Sequence, residues 1–99
     1  MILQILDDAI AEFADAIAHY EEIESGLGVR FRQEVQATAA WIENHPELPK
    51  LRPNGYRRVN LKVFPYYLAY MIHSENIWIL AIAHGSRRPE YWIERNIPA

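Results

Sequence analysis

Hydrophobic positions at the start of the chain first form a short run and then recur at spacings of three and four. The run, residues 2–6, predicts a strand, and Asp7 and Asp8 behind it offer an N-cap oxygen and negative charge to the first turn of a helix. The spaced positions form one apolar stripe, made of Ile10, Phe13, Ala14, Ile17 and Tyr20, and the residues that face away from it are Glu12, Asp15, His19 and Glu22. The pattern predicts a first helix over about residues 8–24.

A second helical stripe follows a break that contains two glycines. Gly26 and Gly28 can take positive φ, which suits a tight connection between helices. The stripe behind them consists of Leu27, Phe31, Val35, Thr38, Ala39 and Ile42. It ends near Asn44, because Pro46 disfavours helix at the residue before it. We therefore predict a helical hairpin, followed by an exposed connector marked by Pro46, Pro49, Pro53 and Gly55.

The hydrophobic period then changes from 3.6 to 2, which is typical of strands. Residues 58–63 alternate, with one buried face (Val59, Leu61, Val63) and one wet face (Arg58, Asn60, Lys62). Residues 66–73 predict a further strand, and residues 74–76 a hairpin turn. Residues 77–84 are apolar at nearly every position, so we expect this last strand to be central in the sheet.

The end of the chain carries signals for one more short helix. Gly85 and Ser86 end the last strand, and Pro89, Glu90 and Arg95 stand where a helix favours proline, first-turn acid and last-turn base. The prediction is an α+β fold in the order β-α-α-β-β-β: a strand and a helical hairpin packed on a mainly antiparallel sheet, with a short C-terminal helix. At 99 residues, one domain over residues 1–99 accounts for the chain.

Composition narrows the possible chemistry. Hydrophobic residues make up 51% and charged residues 23%, enough apolar surface for a folded core. The chain has no cysteine, and no two of His19, His45 and His73 are spaced to share a metal ion, so we expect no metal site. We also expect no cofactor, since no glycine-rich phosphate loop is present. Apolar runs of about seven residues are too short to span a bilayer, and no secretory signal is apparent. A cytoplasmic protein is therefore expected.

Charge divides the chain into two unlike halves. Residues 1–47 hold ten acidic side chains and two arginines, a balance of −8, whereas residues 48–99 hold eight basic and three acidic side chains, a balance of +5. A basic face on an acidic protein favours phosphates or an acidic partner. The alternative is an ordinary solvated surface.

Several basic and aromatic residues of the second half are candidates for a functional surface. Arg58 and Lys62 share a strand face, and Arg87 and Arg88 follow the central strand, so all four could meet at one edge of the sheet. His84 could exchange protons near neutral pH or cap the strand as a structural residue. Tyrosines that could stack on bases, or instead lie in the core, are Tyr56, Tyr66, Tyr67, Tyr70 and Tyr91.

The element order and three motifs together resemble the RelE/ParE superfamily, the toxins of type II toxin-antitoxin systems. The motifs are Phe64-Pro65-Tyr66-Tyr67-Leu68-Ala69-Tyr70, then Ile79-Leu80-Ala81-Ile82-Ala83-His84-Gly85-Ser86-Arg87-Arg88-Pro89, then Tyr91-Trp92 with Arg95. The resemblance covers nearly the whole chain. It implies a growth inhibitor that is neutralised by a cognate antitoxin, in a hetero-oligomer of the two proteins.

The superfamily has two branches with different targets. RelE-like members are metal-independent mRNA endonucleases that act on the ribosome, and the corresponding catalytic set would be Arg58, Lys62, His84, Arg87 and Tyr91. This sequence departs from that pattern, with Tyr67 where an arginine is usual and Ile93 near the expected tyrosine. ParE-like members poison DNA gyrase, and the residues that would contact such a target are Arg57, Arg58, Lys62, Arg87, Arg88, Trp92 and Arg95. The signature from His84 to Trp92 is more similar to ParE; a degenerate, inactive toxin is a third possibility.

Overall fold

The computed structural model describes residues 1–98, which form two helices and four strands. In chain order these are β1 (Ile2–Ile5), α1 (Asp7–Ile23), α2 (Leu27–Asn44), β2 (Arg57–Asn60), β3 (Tyr66–His73) and β4 (Asn76–His84). The predicted α+β class and element order are thus confirmed. Neither helix in the described part of the chain has the length and apolar character needed to cross a membrane.

The strands form one mixed sheet in the order β1-β4-β3-β2. β1 runs parallel to β4, and the other two pairings are antiparallel. The apolar strand β4 therefore lies between two neighbours, as its composition predicts. β1 pairs only with residues 76–79, so residues 80–84 of β4 extend beyond it.

Both faces of the sheet are covered, each by a different part of the chain. The helical hairpin covers one face, and its core includes Phe31, Ile42, Leu68, Tyr70, Ile77, Ile79 and Ile82. The chain after β4 covers the other face, where the core includes Tyr56, Tyr67, Leu80 and Trp92. An irregularity in the β3–β4 pairing lets the consecutive residues Leu80 and Ala81 both join this second core.

The start of α1 differs from the sequence prediction. Leu6 is the N-cap residue and makes no side-chain cap, because β1 runs directly into the helix and Leu6 is buried in the second core. Asp7 and Asp8 lie in the first turn, where their charge suits the helix dipole. The buried stripe is also rotated: Ala9 and Ala16 are buried, whereas Ile10 is exposed.

The connection between the helices is fixed by a carboxylate. Gly26 takes a positive φ of 89°, and Glu21 accepts hydrogen bonds from the backbone N–H groups of Gly26 (2.8 Å) and Gly28 (3.0 Å). A Cβ at Gly28 would lie 2.6 Å from the carbonyl oxygen of Ile17, so the close helix packing requires glycine there.

The first strand of the basic half ends earlier than its alternating pattern predicts. β2 stops at Asn60, and the Glu34 carboxylate on α2 accepts hydrogen bonds from the backbone N–H groups of Lys62 (2.5 Å) and Val63 (3.2 Å). These bonds draw the loop towards α2 and out of the strand ladder. Leu61 stays buried, but Val63 is 72% exposed, contrary to the prediction.

The predicted C-terminal helix is wrong. Residues 89–94 form successive turns with no α-helix, and Glu90 takes a positive φ of 60°, which an α-helix excludes. The Glu90 carboxylate accepts hydrogen bonds from the Tyr56 hydroxyl (2.8 Å) and the Asn54 amide (3.1 Å). These long-range bonds hold the segment against the sheet in a non-helical conformation.

Candidate functional site at the end of the central strand

The turn after β4 is built on His84. Its Nδ1 accepts a hydrogen bond from the backbone N–H of Ser86 (3.0 Å) and lies 2.8 Å from the Ser86 hydroxyl. The backbone N–H of Arg87 donates to the His84 carbonyl (3.1 Å), and that of Gly85 donates to the Pro65 carbonyl (2.8 Å). His84 thus caps the strand through its ring, and the turn is anchored to the neighbouring loop.

Arg87 leaves this turn and stacks on an aromatic ring. Its guanidinium carbon lies 4.1 Å from the centre of the Tyr91 ring. The Tyr91 hydroxyl donates a hydrogen bond to Glu12 of α1. A cation over a tyrosine face is attracted by the ring quadrupole, so Tyr91 acts as a platform that holds the arginine at the end of the sheet.

Glu12 is the centre of a polar cluster at the part of β4 that β1 does not reach. It accepts two hydrogen bonds from the Arg95 guanidinium (2.9 and 3.0 Å) and one from the backbone N–H of Ile82 (3.1 Å). Arg95 also donates to the Leu80 carbonyl (2.9 Å). The Glu12–Arg95 pair therefore satisfies the backbone groups of the β4 edge where β1 ends.

Burial and the Glu12 carboxylate both favour the protonated form of Tyr91. Burial, together with the hydrogen bond and the charge of Glu12, raises the pKa of Tyr91 well above that of a free phenol. The hydrogen bond to Glu12 also raises the pKa of Arg95. At neutral pH the phenol therefore stays protonated and donates to the carboxylate.

Arg58 of β2 forms a second arginine stack, on Tyr67 of β3. Its guanidinium carbon lies 3.7 Å from the centre of the Tyr67 ring, and it donates to the Asn60 side chain (2.8 Å). Arg58 lines a shallow hollow of about 270 Å³ beside Pro65 and Gly85. Arg87 and His84 line a second hollow of about 400 Å³, and Tyr66 lines both. The two arginines thus flank the Pro65–Gly85 contact.

Lys62 lies apart from this pair. Because its loop is drawn to Glu34, Lys62 lines a groove of about 330 Å³ between α2 and β2, together with Trp41 and Val59. The predicted meeting of Arg58 and Lys62 on one strand face is therefore wrong.

Three other residues that were predicted to contact the target make contacts within the fold instead. Arg57 donates to the backbone carbonyls of Glu47 (3.3 Å) and Pro49 (3.4 Å), and so holds the connector. Trp92 is 1% exposed and donates its indole N–H to the Tyr67 hydroxyl (2.9 Å), so its prediction as a surface contact is wrong. Arg95 is engaged by Glu12. Arg88, in contrast, is exposed next to Arg87.

Sequence reasoning missed Glu12, which the helical pattern assigns to the solvent-facing side of α1. Its side chain is only 18% exposed and bonds to residues from β4 and the C-terminal segment. No local signal distinguishes it from an exposed acid, because every partner lies at least 70 positions away in the sequence.

The fold and the arginine-rich end of its sheet define a protein of the RelE/ParE class. The family model described as "ParE toxin of type II toxin-antitoxin system, parDE" matches residues 3–89, and the chain belongs to this family. It is the toxin component of a type II toxin-antitoxin system, whose partner is a cognate antitoxin.

A solved structure agrees with this assignment at the level of the fold. A chain from the chromosomal ParDE TA system of P. aeruginosa is similar with a TM-score of 0.64 and 20% sequence identity. The similarity covers 85% of this chain and 95% of that chain. No curated protein matches the sequence.

Proposed function

We propose that this toxin arrests growth by binding DNA gyrase through three arginines at the end of its sheet, the exposed Arg87 and Arg88 and the half-buried Arg58. Its membership of the ParE family supports this target, because the resemblance to ParE-like toxins implies a gyrase poison. The observation that carries the proposal is the position of Tyr91, whose hydroxyl is bound to Glu12 while its ring supports Arg87. In this proposal Tyr91 supports a binding surface by holding Arg87 in place.

The same observation argues against acid-base catalysis by Tyr91. A general base must accept a proton from the reacting group. The raised pKa of Tyr91 disfavours the phenolate, and its proton is already donated to Glu12. Lys62, another member of the RelE-like set, faces a different groove. A surface with two separate arginine stacks is better suited to contact two points on an acidic partner.

A ribosome-dependent mRNA endonuclease is the second candidate. It is favoured by the position of His84 in the same hollow as Arg87, which brings an imidazole and a guanidinium together. In that case Arg87 would stabilise charge on the scissile phosphate, a role in which loss of one donor lowers the rate by about 100-fold or more. A degenerate toxin with neither activity is the third candidate.

Induction of the toxin in cells tests these candidates directly. We expect trapped gyrase-DNA cleavage complexes and no codon-positioned cuts in mRNA, whereas cuts without trapped gyrase would overturn the proposal. Arg87→Ala should relieve the arrest at matched protein level. Arg87→Lys keeps the charge and should retain most toxicity if Arg87 only binds its target. Wild-type protein that leaves growth unaffected would select the degenerate toxin.

The action is proposed to take place in the cytoplasm.

We further propose that the antitoxin covers the groove between α2 and β2. Trp41 is 38% exposed there, next to the cation of Lys62, which suits a segment with apolar and acidic side chains. Trp41→Ala should weaken the hetero-oligomer, whereas Ile2→Ala removes an exposed apolar side chain from the opposite edge and should not. Affinity should also fall with added salt; affinity indifferent to salt would argue against the acidic contacts.

A further inference from the structure

The two arginine stacks at the end of the sheet differ in what holds their tyrosines. Tyr67 is 3% exposed and its hydroxyl accepts the indole N–H of Trp92, so the platform under Arg58 is fixed by the second core. Tyr91 is only partly buried and lies in a segment of turns. Its hydroxyl is tied to Glu12, a residue from the other end of the chain.

Glu12 is itself held rigidly. Two bonds from Arg95 and one from the Ile82 backbone fix its carboxylate, with the fourth hydrogen bond coming from Tyr91. A carboxylate held at both oxygens by a guanidinium fork has a defined orientation. The position of the Tyr91 ring therefore depends on groups of both α1 and β4.

We infer that Glu12 is a positioning residue of the target-binding surface, acting on Arg87 through Tyr91. This inference rests on the proposed function for its biological meaning. An exposed arginine samples many rotamers, and ordering it on a partner costs entropy. A fixed aromatic platform reduces that cost, and a platform released from Glu12 no longer does.

The first test measures the mobility of Arg87 without any target. NMR relaxation of the arginine Nε–H groups reports side-chain order on the picosecond to nanosecond scale. In Glu12→Gln, which removes the charge but keeps the shape, we expect the order parameter of Arg87 to fall while that of Arg58 stays unchanged. Glu21→Gln is the matched control, since Glu21 also lies on α1 and also accepts backbone N–H bonds. Unchanged order of Arg87 in Glu12→Gln would overturn the inference.

Tyr91→Phe provides a second variant in case Glu12→Gln does not fold. It keeps the ring under Arg87 and removes only the hydroxyl that reaches Glu12. We expect the same loss of Arg87 order as in Glu12→Gln. An Arg87 that stays as ordered as in the wild type would show that stacking alone holds the arginine, which also overturns the inference.

The second test is a double-mutant cycle of gyrase affinity for Glu12→Gln and Arg87→Ala. We expect Glu12→Gln to weaken binding roughly tenfold in the wild-type background, in the range found for coupled residues, and to have no further effect in Arg87→Ala. Equal losses in both backgrounds would indicate a merely structural role and overturn the positioning inference. No loss from Arg87→Ala alone would instead overturn the proposed target surface, whatever the mobility measurement shows.

Discussion

The two faces of the sheet are stabilised in different ways. The helical face is held by apolar packing, in which the Phe31 ring lies 5.0 to 6.2 Å from four other aromatic rings. The C-terminal face has a smaller core, and polar bonds tie its segment to other parts of the chain, from Trp92 to Tyr67 of β3, from Glu90 to Tyr56 and from Arg95 to Glu12 of α1. Broad packing supports the fold, whereas directed bonds orient the side chains of the candidate site.

The largest effect is expected from Phe31→Ala on the helical face. Phe31 is fully buried among aromatic rings, and truncation of such a residue leaves a cavity. We expect the free energy of unfolding to fall by about 3–5 kcal/mol. Urea denaturation followed by tryptophan fluorescence measures it. A loss below about 1.5 kcal/mol would mean that tight apolar packing is not what holds the helical face.

Trp92→Phe perturbs the C-terminal face, and we expect a smaller loss in the free energy of unfolding than for Phe31→Ala. It removes volume from the second core and leaves the Tyr67 hydroxyl without its donor. We expect a loss of about 2 kcal/mol. Adding Tyr67→Phe removes the unpaired hydroxyl. The loss in free energy of unfolding in the double variant should therefore be smaller than the sum of the losses in the two single variants. Strict additivity would show that the hydrogen bond contributes nothing.

Glu90→Gln should have a smaller effect, because it weakens the polar contacts of a single side chain on the C-terminal face. The carboxylate bonds to Tyr56 and Asn54, and its loss should cost about 1 kcal/mol. We also expect faster proteolytic cleavage after β4, measured against the exposed Glu94→Gln as control. Equal cleavage rates for the two variants would contradict a tethering role for Glu90.

The last effect is absent at neutral pH and is expected only under alkaline conditions. Burial raises the pKa of tyrosines on both faces, including Tyr66, Tyr70 and Tyr91. A raised folded-state pKa stabilises the protein fully below the unfolded value of about 10, and this contribution is lost as pH rises towards the folded value. The free energy of unfolding should therefore decline above pH 10. Tyr91→Phe should make the decline shallower, whereas an unaltered slope would contradict the raised pKa of Tyr91.

Local signals in the sequence predicted most of the fold. The glycines at 26 and 28 marked the helical hairpin, and the unbroken apolar run of β4 marked the central strand. Two of the failures share a physical cause, because each involves a carboxylate that binds groups distant in the sequence. Glu34 draws residues 62 and 63 out of the strand ladder, and Glu90 is tied to Tyr56 in a conformation that no helix accepts.

The candidate site was less predictable than the fold. Sequence placed Arg87 correctly at the end of β4, since the glycine after His84 marks where the strand stops. It could not show that Tyr91 lies beneath Arg87, nor that Trp92 is inside the second core. Periodicity reports which side of an element is apolar, but a segment of irregular turns has no period. Only the folded chain brings Glu12 to these residues.

The parallel pairing of β1 with β4 has a consequence for the order of folding. The strands of the β3–β4 hairpin are joined by the short turn at Ser74 and Glu75. β1, in contrast, pairs with a strand near the other end of the chain. Closing long loops costs more entropy, so we expect the hairpin to form before β1 docks. Destabilising changes in the hairpin should then slow folding, and changes in β1 should mainly speed unfolding. Because Glu12 follows β1, we expect the contact from Glu12 to Tyr91, the ring beneath Arg87, to form only in the final step of folding.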